Sequence, residues 1–143
     1  MHRGRTRLRE LAKTSDDRPW PALAEAERER LTAYAERFNA RDFEAVRDML
    51  ADEIRLELVN RTRMKGRKEV VTYFSNYSSI SDWWLAPALV DGQPALLVRA
   101  LSDPSAPPSY FIILEWSDNK IVGIRDFRYA RYAVDSADVM ALR

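Results

Sequence analysis

Asp126 has the strongest claim to chemistry of any side chain in this chain. It lies in Ile124-Arg125-Asp126-Phe127-Arg128-Tyr129, where polarity alternates. A strand turns successive side chains to opposite faces, so Ile124, Asp126 and Arg128 share one face, and Phe127 and Tyr129 the other. If the first face is interior, Asp126 needs partners, because an isolated buried charge is costly. Two readings follow. Asp126 and Arg128 form a polar anchor or acid/base pair at the floor of a ligand pocket, or they form an ion pair that fixes the sheet. Aromatic residues stand ready as walls: Tyr73 and Tyr77 in one helical stretch, then Trp83-Trp84. Such a group lines a ligand pocket or a partner surface, or is ordinary core.

Other chemistries are excluded by composition. The 143 residues contain no cysteine, and His2 is the only histidine. A thiolate nucleophile, a Ser-His-Asp triad inside the domain and a His-rich metal site are therefore absent. No metal and no cofactor is expected. The lack of cysteine suits the cytosol, the N-terminus has no apolar core of a signal peptide, and no apolar run is long enough to span a bilayer. A cytoplasmic protein without membrane contact is expected. With 46% hydrophobic and 31% charged residues, the chain is long enough for one domain with its own core.

The net charge of +1 is unevenly spread. Residues 1–19 hold six basic and three acidic groups, and the remaining 124 hold 17 basic and 19 acidic. A basic segment on a near-neutral body belongs with nucleic acid or with another domain. There Arg3, Arg5, Arg7 and Arg9 are the candidate phosphate contacts, without base readout. The basic run Asn60-Arg61-Thr62-Arg63-Met64-Lys65 has no interleaved aromatic and reads as a solvated loop.

The elements that must position these residues follow from periodicity. Residues 2–12 read as a short basic helix, and Thr14–Pro19 as a linker. Trp20 and Pro21 mark the docking point onto the body. Leu23, Leu31, Tyr34, Ala35 and Phe38 form one stripe of a helix over 22–41. Asp42 caps a second helix, 43–50, ended by Asp52 and Glu53. Residues 54–59 alternate as a strand with one buried face. Gly66 opens a third helix, 67–77, with Val70, Val71, Phe74 and Tyr77 as its apolar set. Strands follow at 83–90, 95–101, 110–116 and 120–132, with a proline-rich loop at 102–108 and turns at 91–94 and 117–119. The last ten residues read as a short helix or a loose end. Helices grouped before a mainly antiparallel sheet argue for an α+β fold, a curved sheet packed on two or three N-terminal helices.

The run Tyr34-Ala35-Glu36-Arg37-Phe38-Asn39-Ala40-Arg41-Asp42-Phe43, followed by Leu50-Ala51-Asp52-Glu53-Ile54 and Gly66-Arg67-Lys68-Glu69-Val70, resembles the SnoaL-like cone of the nuclear transport factor 2 superfamily. The resemblance spans about residues 24–132 and implies a cone-shaped fold that hosts isomerases, dehydratases, cyclases and binding modules alike. A narrower resemblance lies at the two ends. His2-Arg3-Gly4-Arg5-Thr6-Arg7-Leu8-Arg9-Glu10-Leu11 is similar to the end of the region 4 helix of extracytoplasmic-function sigma factors. Ile124–Tyr132 resembles the last strand of the SnoaL-like extension that some of them carry. It implies residues 1–19 as a region 4 stub with linker and 20–143 as the SnoaL-like domain. The chain would then be a fragment of a longer protein. Its partners would be sigma regions 2 and 4 and core RNA polymerase, with DNA contacted only through those missing domains. It would regulate transcription by docking, with a small molecule in the cone as the possible bias, and would form a homodimer in isolation.

The same cone houses ketosteroid isomerase, and the resemblance puts its oxyanion-hole tyrosine at Tyr34. It puts the general base at Leu58 and the second acid donor at Ile112, and neither residue can do that work. A regulatory cone rather than an enzyme is expected. The ligand-pocket candidates are Tyr34, Phe38, Leu58, Asn60, Tyr77, Trp84, Ile112, Trp116, Asp126 and Arg128. Strand parity puts Ile54, Leu56 and Asn60 on the side of Leu58, and Tyr110, Ile112, Leu114 and Trp116 facing inward. The rival readings are a polyketide-cyclase or isomerase-type enzyme and a stand-alone dimeric binding module. An interior polar triad around Asp126 would favour the enzyme, and a pocket closed by Trp84 and Trp116 would exclude it.

Overall fold

A computed structural model describes residues 25–103 and 105–141. The basic segment, its four arginines, the linker and Trp20-Pro21 lie outside the described residues. Helix α1 (Glu25–Asn39) buries Leu31, Tyr34, Ala35 and Phe38. That spacing puts all four on one stripe. Asp42 caps α2 (Phe43–Arg47), its carboxylate accepting from the Ala45 amide at 3.2 Å. Strands β1 (Leu50–Leu58) and β2 (Thr62–Lys65) come next, then α3 (Arg67–Ser78). Strands β3 (Trp84–Val90), β4 (Gln93–Arg99), β5 (Tyr110–Ser117) and β6 (Lys120–Asp126) follow, and α4 (Ala133–Ser136) and β7 (Val139–Ala141) close the chain.

The strands make one seven-stranded sheet in the order β2-β1-β6-β5-β4-β3-β7. Every pairing is antiparallel except β1 with β6. Helices α1 and α3 pack on one face of the sheet, and the core lies between. The architecture is the α+β arrangement expected from the order of elements.

Several boundaries differ from the sequence reading. The second helix stops at Arg47 because Leu50 and Ala51 are buried in β1 instead, Leu50 pairing with Ile121. Val46 and Leu50 have helical spacing, but the longer-range pairing wins. Residues 62–65 are not a loop: they form an edge strand on β1, exposed and rich in charge, which suits an edge. Within the last ten residues, the short helix gives way to β7, which pairs with Val90, Leu89 and Ala88 along the edge of β3. The last strand ends at Asp126, six residues earlier than expected, because Ala130 turns back to the Phe127 carbonyl.

Candidate functional site

The register of three adjacent strands sets the site. Leu58 on β1 pairs with Asp126 on β6, and Asp126 pairs with Ile112 on β5. The three form one cross-strand row on the inner face, with neighbours about 5 Å apart. The isomerase resemblance put acids at Leu58 and Ile112. The acid of this chain stands on the strand between them.

Asp126 is 0% exposed, the only polar or charged residue buried to that degree among the described residues. Helix α3 supplies its partners. Tyr73 and Tyr77, one turn apart on the buried stripe, donate to the same carboxylate oxygen at 2.7 and 2.8 Å. The Arg128 amide donates to the other oxygen at 2.8 Å. The Tyr77 hydroxyl also meets the Tyr110 hydroxyl. Tyr77 has a single hydroxyl proton. When it goes to Asp126, Tyr110 must donate to Tyr77. A directed chain runs Tyr110 to Tyr77 to Asp126.

The electrostatics follow from that enclosure. Burial raises the proton affinity of Asp126 above the ordinary aspartate range, although both tyrosines, the Arg128 amide and the Arg128 charge pull it back. The Tyr73 and Tyr77 hydroxyls are pushed far up by burial and then by the nearby carboxylate. Tyr110 is raised to about 12, chiefly by burial. Tyr34 also rises, through burial and then the charge of Asp126. All four remain protonated donors at neutral pH. Tyr34 has no hydrogen-bond partner although its hydroxyl is fully enclosed. An orphaned hydroxyl costs about 1–3 kcal/mol, so its presence in the same core as the carboxylate needs a reason.

The other candidates separate into two groups. Phe38, Leu58 and Ile112 are buried at the inner face with Tyr34 and Tyr77. Phe38 is the hub of an aromatic cluster, 5.2 Å from Tyr77 and 5.1 Å from Trp83 between ring centres. Asn60 does not face inward: β1 has ended, and Asn60 sits exposed in a left-handed turn at φ 70°, its amide donating to the Tyr132 hydroxyl. The Arg128 side chain likewise lies beyond the strand. Its guanidinium sits 5.9 Å from the Tyr77 ring and 5.8 Å from Tyr129, so the carboxylate is held by phenols and a main-chain amide, not by an ion pair. Trp84 is half-buried, and it is Trp83 that enters the core, donating to the Ile80 carbonyl at 2.8 Å. Trp116 follows a register shift on β5 and stacks under Arg30 at 5.3 Å.

Three roles escaped the sequence reading. Tyr73 replaces Val71 on the buried stripe of α3, and its i, i+4 spacing to Tyr77 was the signal available. Tyr110 shows only as an inward strand position. Asn39 fastens α1 to the start of β3, its side chain donating to the Leu85 carbonyl at 2.9 Å and accepting from the Leu85 amide at 2.7 Å.

Solved structures share this architecture. Bal32a, from a soil-derived mobile gene cassette, matches with a TM-score of 0.55 at 18% identity, over 76% of this chain and 92% of its own. A SnoaL-like protein of unknown function from Burkholderia thailandensis matches at 0.53 and 16%, over 68% and 89%. A candidate polyketide cyclase from Sinorhizobium meliloti matches at 0.53 and 16%, over 68% and 92%. The fold is the SnoaL-like cone. At these identities the likeness extends to the fold alone. No protein-family model matches the chain, and no curated protein matches it. Among the described residues, no helix of the cone is long and apolar enough to cross a membrane. No group of three or more His, Cys, Asp or Glu among them is placed to hold a metal ion.

Proposed function

We propose that the cone binds a small, largely apolar molecule bearing a carbonyl and moves a proton on it, with Asp126 as the acid/base group. The observation that carries this reading is the buried carboxylate held by Tyr73 and Tyr77, with the unpartnered Tyr34 hydroxyl nearby. A general base works best when its pKa approaches the operating pH, and burial moves Asp126 in that direction. The carboxylate would take a proton from the carbon next to the carbonyl. The Tyr34 hydroxyl would donate to the oxygen on which charge develops. The Tyr77–Tyr110 chain would keep the carboxylate oriented and hydrogen-bonded throughout. The interior polar group around Asp126 is the feature that favours an enzyme over a passive cone, and Trp84 and Trp116 do not both close the core. The cyclase-like neighbour is compatible with this chemistry and adds only the fold.

The test is proton exchange. The protein is incubated in D2O with a panel of cyclic ketones and enones, and loss of the α-proton signals is followed by NMR. Exchange above the buffer rate is expected for part of the panel, falling about 100-fold or more in Asp126→Asn. A panel with no exchange above buffer, or an Asp126→Asn variant as fast as the parent, sinks the proposal.

A second reading concerns context and is compatible with the first. The arginine-rich residues 2–11 and the Ile124–Tyr132 strand favour a C-terminal domain of an extracytoplasmic-function sigma factor. In that setting ligand binding would bias docking on regions 2 and 4 of a cytoplasmic protein, provided the ligand binds docked and free states differently. The isolated domain would pair as a dimer. The genomic sequence upstream of Met1 decides: regions 2 and 4 in frame support it, and a stop codon ahead of a start site there removes it.

A further inference from the structure

The end of the sheet that holds Asp126 also carries a second, exposed feature. Because β1 and β6 run parallel, both leave the sheet at this end, and β5 enters there. The segment after β1 brings Arg61. The segment after β6 brings Arg128, Tyr129, Arg131 and Tyr132. Tyr129 is 44% and Tyr132 67% exposed, two of the most exposed large hydrophobic side chains described. Arg61 lies 4.9 Å from the centre of the Tyr129 ring, Arg128 5.8 Å from it, and Arg131 5.0 Å from the Tyr110 ring. None of these three guanidiniums forms an ion pair with a carboxylate among the described residues. The nearest paired acid on β1, Glu57, already serves Arg63 and Arg125.

We propose that this arginine–tyrosine rim receives an anionic group, a carboxylate or a phosphate, on the small molecule that the interior carboxylate serves. The inference deepens the proposed proton-transfer reading and rests on it for the carbonyl end of the ligand. Tyr110 links the two sites: its hydroxyl joins the chain to Asp126, and its ring carries Arg131. A ligand held at the rim would therefore extend over Tyr110 toward the carboxylate. Guanidinium pairs recognise planar anions through two parallel donors, and the tyrosine faces pre-order the guanidiniums. Three cations without ion pairs at this end of the sheet, Arg131 donating only to the Arg128 carbonyl at 3.1 Å, also attract an anion to it. A nucleic acid would use the same charges and ring faces, but a strand has no use for a chain leading to a buried acid, so the small anion is favoured.

The experiment uses matched probes: 4-oxocyclohexanecarboxylate, its methyl ester, inorganic phosphate and a short oligothymidylate. Affinities are read by NMR titration of the full chain, and α-proton exchange is read in parallel. The carboxylate is expected to bind about tenfold tighter than the ester, the worth of one good charge-assisted contact. That ratio should fall toward one at about 0.5 M salt. Arg61→Gln with Arg131→Gln should remove the preference and the phosphate binding. Arg61→Lys with Arg131→Lys should keep most of both, which separates charge from folding. If the ester exchanges protons but the carboxylate binds no better, the rim proposal fails and the interior site stands. Tight oligothymidylate binding that displaces the carboxylate overturns it in favour of nucleic acid. Phosphate binding at the rim without any ketone exchange removes the interior reading while the anion site survives.

Discussion

Two faces of the same three strands treat their acids in opposite ways. On the inner face, Asp126 has no exposure and is held by two phenols and an amide. On the outer face, one residue away, Arg125 reaches Glu57 at 3.6 Å, and Glu57 also meets Arg63 at 3.8 Å, with about a third of its side chain open to water. That outer groove is lined by Arg55, Glu57, Lys65, Glu69, Glu115 and Arg125, and its charges remain hydrated. The backbone alternation alone decides which fate a carboxylate meets. Where water is excluded, every partner matters and the proton affinity moves. Where water remains, an ion pair is worth little.

The comparison breaks most visibly at its inner half. Asp126→Leu leaves the Tyr73 and Tyr77 hydroxyls and the Arg128 amide without an acceptor in the core. Urea unfolding should show a loss of about 3–5 kcal/mol. The pH response is the next largest effect. A carboxyl whose pKa is higher in the folded than in the unfolded chain binds its proton more tightly when folded. Its contribution is complete below the unfolded value and is lost as the pH rises through the folded value. Stability contributed by this group should fall as the pH rises from the acid range toward neutrality, and Asp126→Asn should flatten that part of the curve. The smallest effect sharpens the outer half. Glu57→Ala should change stability by less than about 1 kcal/mol, with the difference fading in high salt. A large loss there would show that the outer pairs are not simply hydrated.

Much of this contrast was legible in the residues. The alternation around Asp126 put it on the inner side, and the Tyr34–Phe38 stripe oriented α1. The alternation could not reveal where each strand stops. Asn60 and Arg128 were assigned inward by extending the period past Leu58 and Asp126, where turns take over. The partner of Asp126 was also misassigned. Arg128 is close in sequence and oppositely charged, whereas Tyr73 is 53 residues away, and only the packing of α3 over β1, the strand beside β6, brings it near. The linear match placed acids at Leu58 and Ile112 and could not show that Asp126 lies between them, because that adjacency is set by the pairing of three strands. Choosing between Trp83 and Trp84 required knowing that β3 begins at Trp84 and that Trp83 closes the end of α3.

The central claim is that Asp126 is a carboxyl poised to gain and lose a proton, not a permanently ionised strut. Selective carbon-13 labelling of aspartate carboxyls, with Asp126→Asn used to assign the resonance, reads this directly in a pH titration. The account expects Asp126 to titrate above every exposed aspartate of the chain, and to rise further in Tyr73→Phe. A resonance that titrates within or below the ordinary aspartate range, in both proteins, would contradict it and leave the cluster as a structural anchor.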